Sequence, residues 1–369
     1  MMRFAHLSLV FIVIIIASCN FISPQEESKS IKQMVFEINN DLIIDSAETL
    51  VFDAGMHYVF MDTFKIIVRG RLIIKGEKNN PAKFSPSDSL NGSGTIVFEN
   101  PVGESSIENA VFHNVRIFGE KVDLSIKACE FHNNLPLSNF DAVVRVFEGS
   151  IKISDCYVKG NHSGEGFLIH GIIDSPATVE NCEFDGVSDA IEFLGVKRQG
   201  KILNNKIYNI DQVSGDGIDF NGCDSIIIEG NIFDNIRDYG CEIGNDKYGP
   251  SRNIFIRNNV FANCYRGIVV KGGSEVFADG NIFYKNKIAV KCQVETWSKV
   301  TDPNYLIVEN SIFSESNEKD YSSNDNSILE ILNSCSDKIL EGKSNIIGQV
   351  QFIDPDNHNF TLTKDSDCK

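Results

Sequence analysis

Ile228-Glu229-Gly230-Asn231-Ile232-Phe233, IEGNIF, is followed along the chain by IRNNVF (256–261) and ADGNIF (278–283), with the same order of residue types each time. The order is apolar, polar, Asn/Asp/Gly, small or Asn, any residue, then aromatic or apolar. Six further stretches fit it: IENAVF (107–112), IKACEF (126–131), ISDCYV (153–158), VENCEF (179–184), LNNKIY (203–208) and VENSIF (308–313). The copies recur about every 25 residues, the range of stacked repeat architectures. Each unit is rich in Val, Ile and Phe, is punctuated by Asn and Gly, and lacks a 3.6-residue apolar period, so it reads as strands and turns.

One strand-and-turn circuit per repeat describes a parallel β-solenoid, in which equivalent residues of successive coils stack about 4.8 Å apart. The sixth position then forms an inward ladder of Phe112, Phe131, Phe184, Tyr208, Phe233, Phe261, Phe283 and Phe313. The fourth position reads Ala110, Cys129, Cys156, Cys182, Lys206, Asn231, Asn259, Asn281, Ser311: small residues giving way, after one interruption, to an asparagine ladder whose amides bond along the stack. Asn114, Asn133, Asn235 and Asn263 follow at F-x-N, where a tight corner calls for the left-handed conformation.

A second strand follows each corner: AIEF (190–193), GIDF (217–220), GCEI (240–243), GIVV (267–270) and AVKC (289–292). Its third residue points outward, giving the column Glu192, Asp219, Glu242, Val269, Lys291. Carboxylates about 5 Å apart repel by about 3 kcal/mol per pair at an effective dielectric of 20. Solvent, a neighbouring cation (Arg237, Arg266, Lys271, Lys291) or Ca2+ must offset this. Ca2+ takes six to eight oxygens and would also recruit Asp189 or Asp216. The column is therefore a solvated face, a calcium or sugar-binding groove, or a catalytic site. The D-G-x-D of GDGIDFNG (215–222) is not an EF-hand, because Phe220 and Gly222 fall where that loop needs oxygen ligands.

The hexapeptides, the entry segment 50–86 and the terminal segment 351–369 resemble those of bacterial right-handed parallel β-helix repeat proteins, a family that includes NosD-type periplasmic proteins and pectate-lyase-like enzymes. The resemblance implies an all-β fold, a single right-handed parallel β-helix with N- and C-terminal caps. Its expected divisions are 32–90 for the first cap and first coils, 91–315 for the repeats and 316–369 for the last cap, with 314–326 as a separating loop. For an enzyme it implies lyase chemistry, with a cation on a uronate carboxylate and Arg266, Lys271 or Lys291 as base. No catalytic string of an alginate, chondroitin or pectate lyase, a polygalacturonase or a mannuronan epimerase is present. Adjacent carboxylates of the column suit a retaining hydrolase, and Glu192 with Glu242 just exceeds the inverting range. The expectation is a binder of glycans or proteins along the outward strand face. The alternatives are a calcium-assisted lyase or other carbohydrate-active enzyme, and a structural spacer. Ca2+ is the one candidate cofactor.

The first residues, MMRFAHLSLVFIVIIIASCN, carry one basic residue, an apolar run and small residues before Cys19, and Ile16-Ala17-Ser18-Cys19 resembles a bacterial lipobox. Residues 1–18 read as a lipoprotein signal peptide, Cys19 as the lipidated residue and 19–31 as a polar tether. This implies a monomer anchored by lipid in the cell envelope, at the outer membrane. The formal charge of -17 argues against binding nucleic acid or another anionic polymer by bulk electrostatics, and the resemblance implies polysaccharide as a candidate partner. Cys335 and Cys368 are a candidate disulfide in an oxidising compartment. Cys129, Cys156 and Cys182 read as buried thiols or a neighbouring pair, and His113 with His132 as turn residues or metal ligands. Trp297 stacks on a sugar or covers the core.

Overall fold

The computed structural model describes residues 34–368, apart from 89–91, 134–140, 161, 163, 172–175, 245–247, 295–299 and 301. The signal segment, Cys19, the tether and Trp297 lie outside the described residues. The chain winds into parallel strands that form three sheets of 14, 12 and 12 strands, called here A, B and C. Every third strand pairs with its counterpart one coil on, so each coil visits A, B and C in turn. One further antiparallel hairpin, Phe352–Asp354 with Asn359–Leu362, stands outside this order. The architecture is the expected all-β parallel β-helix.

Each hexapeptide straddles a corner. Ile228 and Glu229 end a strand of sheet C (Asp224–Glu229), Gly230 turns, and Ile232–Ile236 is a strand of sheet A. The turn is left-handed at the third position of every copy, at Asn109, Ala128, Asp155, Asn181, Asn204, Asn258 and Asn310 with φ of 49 to 56°, and at Gly230 and Gly280. Of the F-x-N asparagines, Asn114, Asn235 and Asn263 have positive φ and Asn133 does not.

The pairing corrects one repeat by a residue. Ile207, not Tyr208, aligns with Phe184 and Phe233, and Lys206 aligns with Glu183. The motif is ILNNKI (202–207). Its fourth residue is the fully buried Asn205 rather than Lys206, so the asparagine ladder is uninterrupted from Asn205 through Asn231 and Asn259 to Asn281. Each amide donates to the next side-chain oxygen at 2.9 to 3.1 Å, and that oxygen also accepts a backbone N–H. Tyr208 faces outward and bonds Glu183. Inside, the phenylalanines stack 4.6 to 5.3 Å apart from Phe233 to Phe313, and the ladder reaches down to Tyr58 and Phe84. Dry aromatic and aliphatic stacking on this scale is the main stabilising term.

The C-terminal end differs from expectation, whereas the N-terminal end holds the first coils expected within 32–90. Residues 34–86 already form coils, because Met34–Ile38 pairs with Met56–Phe60 and Thr49–Asp53 with Arg71–Lys75. Lys319–Ser323 is a strand of sheet B, so the separating loop expected at 314–326 is part of the stack. The terminal hairpin does not close the end of the helix; Phe352 and Phe360 pack on Tyr284 beside the outer face of sheet A. His358 reaches Asp234 at 2.8 Å. Cys335 and Cys368 are disulfide-bonded with Cα atoms 5.6 Å apart. Cys129, Cys156 and Cys182 are free and buried.

Candidate functional site

The strands of sheet B carry the outward column in the expected register, Glu192 beside Asp219 beside Glu242 beside Val269 beside Lys291. A close approach sets its corner. A Cβ at position 217 would stand 2.5 Å from the Gly240 carbonyl oxygen and 2.7 Å from the Phe233 ring, so only glycine lets Ile218–Asn221 start where it does. Gly217 has no positive φ; the demand is for space.

The column is only partly solvated: Glu242 and Val269 are buried, and Glu192, Asp219 and Lys291 are half-buried. Glu242 is 7 % and Asp216 5 % exposed, and Asp219 Oδ1 is enclosed with no hydrogen-bond partner. Neighbouring carboxyls shield one another from water. Glu165, 5 % exposed, hydrogen-bonds Glu192 from the preceding coil. Asp189 Oδ1 accepts the Asp216 N–H at 2.7 Å, and Asp216 Oδ1 accepts the Tyr239 N–H at 2.9 Å.

Burial is the leading cause of the charge states that result. It pushes Glu192 up to about 10, helped by Glu165 and Asp219. Burial pushes Asp189 up to about 7, against the Asp216 N–H that favours its carboxylate. Asp216 and Asp219 are raised well above the ordinary aspartate value by burial and then by Glu242 and each other's neighbours. A neutral carboxyl at neutral pH is a ready proton donor.

The cations are placed unequally. Lys271 Nζ lies 2.7 Å from Glu242, and this pairing outweighs burial to raise the lysine. Arg266 pairs with Asp238 at 3.3 Å and stacks over Tyr239 and Tyr265. Burial sets Asp238 at about 6, with Arg266 pulling against it. Lys291 stands in the column two coils beyond Glu242, and Arg237 is exposed with its guanidinium on the Asp211 carbonyl. Of the sequence candidates, Asp216, Asp219, Glu242 and Lys271 meet at one place. Asp189 and Glu192 border it, and Arg266 and Lys291 flank it. Sequence reasoning missed Glu165, Asp238, Tyr239 and Asn221; the last donates to Asp219 Oδ2 at 3.0 Å. Position two residues after Asp219 on the same strand face was the signal for Asn221.

Among the described residues, one carboxyl oxygen each of Asp216, Asp219 and Glu242 lies within 4.8 Å of the others, the only such trio of potential cation ligands. His113 and His132 do not belong to a comparable group. Their rings stack 4.9 Å apart, and His132 bonds Glu130 at 2.9 Å.

Comparison with known proteins places the fold. The catalytic domain of a GH87 α-1,3-glucanase in complex with nigerose superposes with a TM-score of 0.55 at 11 % identity, over 88 % of this chain and 71 % of that one. A periplasmic alginate epimerase gives 0.56 at 11 % over 83 % and 79 %. An alginate lyase gives 0.51 at 10 % over 89 % and 88 %. Likeness at such identity is one of fold. No curated protein matches the chain in sequence. The profile of the right handed beta helix region matches residues 89–248 and 189–349, which together span more than half the chain. The chain belongs to the right-handed β-helix family.

Proposed function

We propose that the protein is a carbohydrate-active enzyme that hydrolyses a neutral polysaccharide at the Asp216/Asp219/Glu242 trio. The observation that carries this reading is a difference within the trio: Glu242 is ion-paired with Lys271, whereas the enclosed Asp219 Oδ1 has no partner and its carboxyl is raised. Glycoside hydrolysis needs such a pair, a carboxylic acid to protonate the leaving oxygen and a carboxylate to attack or activate water. Asp219 is the acid and Glu242 the carboxylate. Asp216, bonded to the Tyr239 N–H, and Asn221, bonded to Asp219, hold the pair in position. The oxygen separations within 4.8 Å favour the short, retaining arrangement over the wider inverting one.

Lyase or epimerase action on a uronate is less favoured. Such chemistry needs positive charge where the substrate carboxylate binds, and here Glu165, Asp189, Glu192, Asp216, Asp219 and Glu242 converge on a chain of net charge -17. Three proteins of similar fold, an α-1,3-glucanase, an alginate epimerase and an alginate lyase, act on glycans, which supports a carbohydrate substrate. The signal-like start and Cys19 support export and lipid anchoring at the cell envelope.

The test is release of reducing ends from neutral and acidic polysaccharides by wild type and Asp219→Asn. Hydrolysis of a neutral polymer that falls about 10³-fold in the variant, with a melting temperature no lower than wild type, is expected. Unsaturated uronate products from an acidic polymer would overturn the reading. Calcium at the trio is the second reading, because three carboxyl oxygens stand within reach of one ion. Lys271 already neutralises Glu242, so millimolar CaCl2 is expected to leave the melting temperature at pH 6 unchanged. A rise that vanishes in Asp219→Asn would favour the ion over the acid.

A further inference from the structure

Sheet B continues on the N-terminal side of the trio with a different outer surface. In place of buried carboxyls, Phe118 and Phe147 stand half-exposed over a cleft of about 700 Å³ bordered by Glu99, Glu120, Asp141 and Arg145. The pairing fixes where this cleft lies. Phe147 aligns with His170, His170 with Leu194, and Leu194 with Asn221, the residue that bonds Asp219. The phenyl ring is therefore three coils, about 14 Å, from the trio along the helix axis. Tyr248, from the coil after Asn221, reaches back to the same place. Its ring meets His170 edge-on at 5.7 Å, and His170 meets Phe147 at 4.1 Å. A Cβ at Gly222 would lie 2.2 Å from the Tyr248 carbonyl oxygen, so Tyr248 presses against sheet B beside Asn221, between the cleft and the trio.

We infer that the Phe118/Phe147 cleft is a distal sugar subsite, which holds a neutral glycan chain running along the helix axis into the carboxyl trio. Aromatic faces next to carboxylates suit a sugar ring, whose C–H face packs on the phenyl while its hydroxyls donate to Glu99 and Glu120. A hexopyranose unit advances a chain by about one coil rise, so the platform lies some three sugars from the cleaved bond. Glu99 and Asp141 at the rim are ion-paired with Arg69 and Arg116, so the cleft offers no excess of positive charge to a uronate polymer. The direction of the chain toward the trio rests on the hydrolase reading; sugar binding at the platform does not.

Two measurements separate the inference from that reading. Affinity electrophoresis of Asp219→Asn through gels containing laminarin, xylan, dextran or pullulan, with alginate as the charged control, reads binding without turnover. Retardation by at least one neutral polymer is expected, reduced about tenfold in affinity by adding Phe147→Ala and kept by Phe147→Tyr. On wild-type Asp219, Phe147→Ala is expected to lower the preference for hexasaccharides over trisaccharides by a similar factor. Retardation lost with Phe147→Ala but no hydrolysis by wild type would sustain the platform and remove the hydrolase. Hydrolysis with neither retardation nor chain-length preference altered by Phe147→Ala would overturn the platform, as would retardation by alginate alone or by no polymer.

Discussion

Glu192 and Asp219 sit in one column and share one cause of unusual behaviour, the replacement of water by protein and by other carboxyls. In an extended chain each would be ionised at pH 7. Folding raises both, so the native state holds protons that the unfolded state releases. The consequence for stability follows from linkage: the contribution is fully present below about pH 4, and it is lost as pH rises through about 7 for Asp189 and about 10 for Glu192. Glu192→Gln removes the larger of these losses. It is expected to raise the melting temperature at pH 8.5 by roughly 2 °C or more and to change it little at pH 4, checked by calorimetry at both. A Gln variant less stable at pH 8.5 would mean that Glu192 is ionised in the folded protein. Lys271→Met leaves Glu242 as a buried carboxylate without its cation, and at pH 7 it is expected to cost about 3 kcal/mol of stability, read by urea unfolding.

At the scale of elements, each coil is held by ladders rather than by local propensity. Asn259 illustrates this: its oxygen accepts the Asn231 backbone N–H and side-chain amide, while its own amide donates to the Ile228 carbonyl and to Asn281. Asn259→Ala orphans buried groups on both adjoining coils and is expected to cost about 2–3 kcal/mol, whereas Lys206→Ala, on the outer surface, is expected to be near neutral; denaturant midpoints compare the two. The ladder was legible because a hexapeptide that repeats its turn residues repeats its side-chain geometry. The one slipped copy arose because Leu203-Asn204-Asn205-Lys206 offers two asparagines for one slot. Only burial distinguishes them: Asn205 is enclosed, and Asn204 supplies the left-handed turn. The third sheet was harder to read, since its strands end inside the hexapeptides and share their apolar residues.

Across the whole molecule, the stack has two ends and one long side, and each raises its own physical demand. The C-terminal coils are stapled by Cys335–Cys368 across a sequence separation of 33. Replacing Cys368 by Ser is expected to cost about 3 kcal/mol, seen first as faster hydrogen exchange in residues 327–347 than in the central coils. Equal acceleration throughout would mean that the helix unfolds as one unit. The hairpin that follows spends its aromatic residues on the side of sheet A, where Tyr284 would otherwise be uncovered. The terminal segment read as a lid for the end of the helix because sequence gives the apolar content of a segment and not the surface it meets.

The sequence by itself determined the solenoid, its register to within one residue in one repeat, the inward phenylalanines and the alignment of Glu192, Asp219 and Glu242. All of these follow from local periodicity, and stacking converts period directly into position. Tertiary structure alone decided how far the aligned carboxyls are buried, that Glu165 joins them, and that Lys271 pairs with Glu242 while Asp219 Oδ1 has no partner. Those outcomes depend on contacts between coils. Burial and charge state are set there by neighbours distant in the chain, which a period along it does not encode.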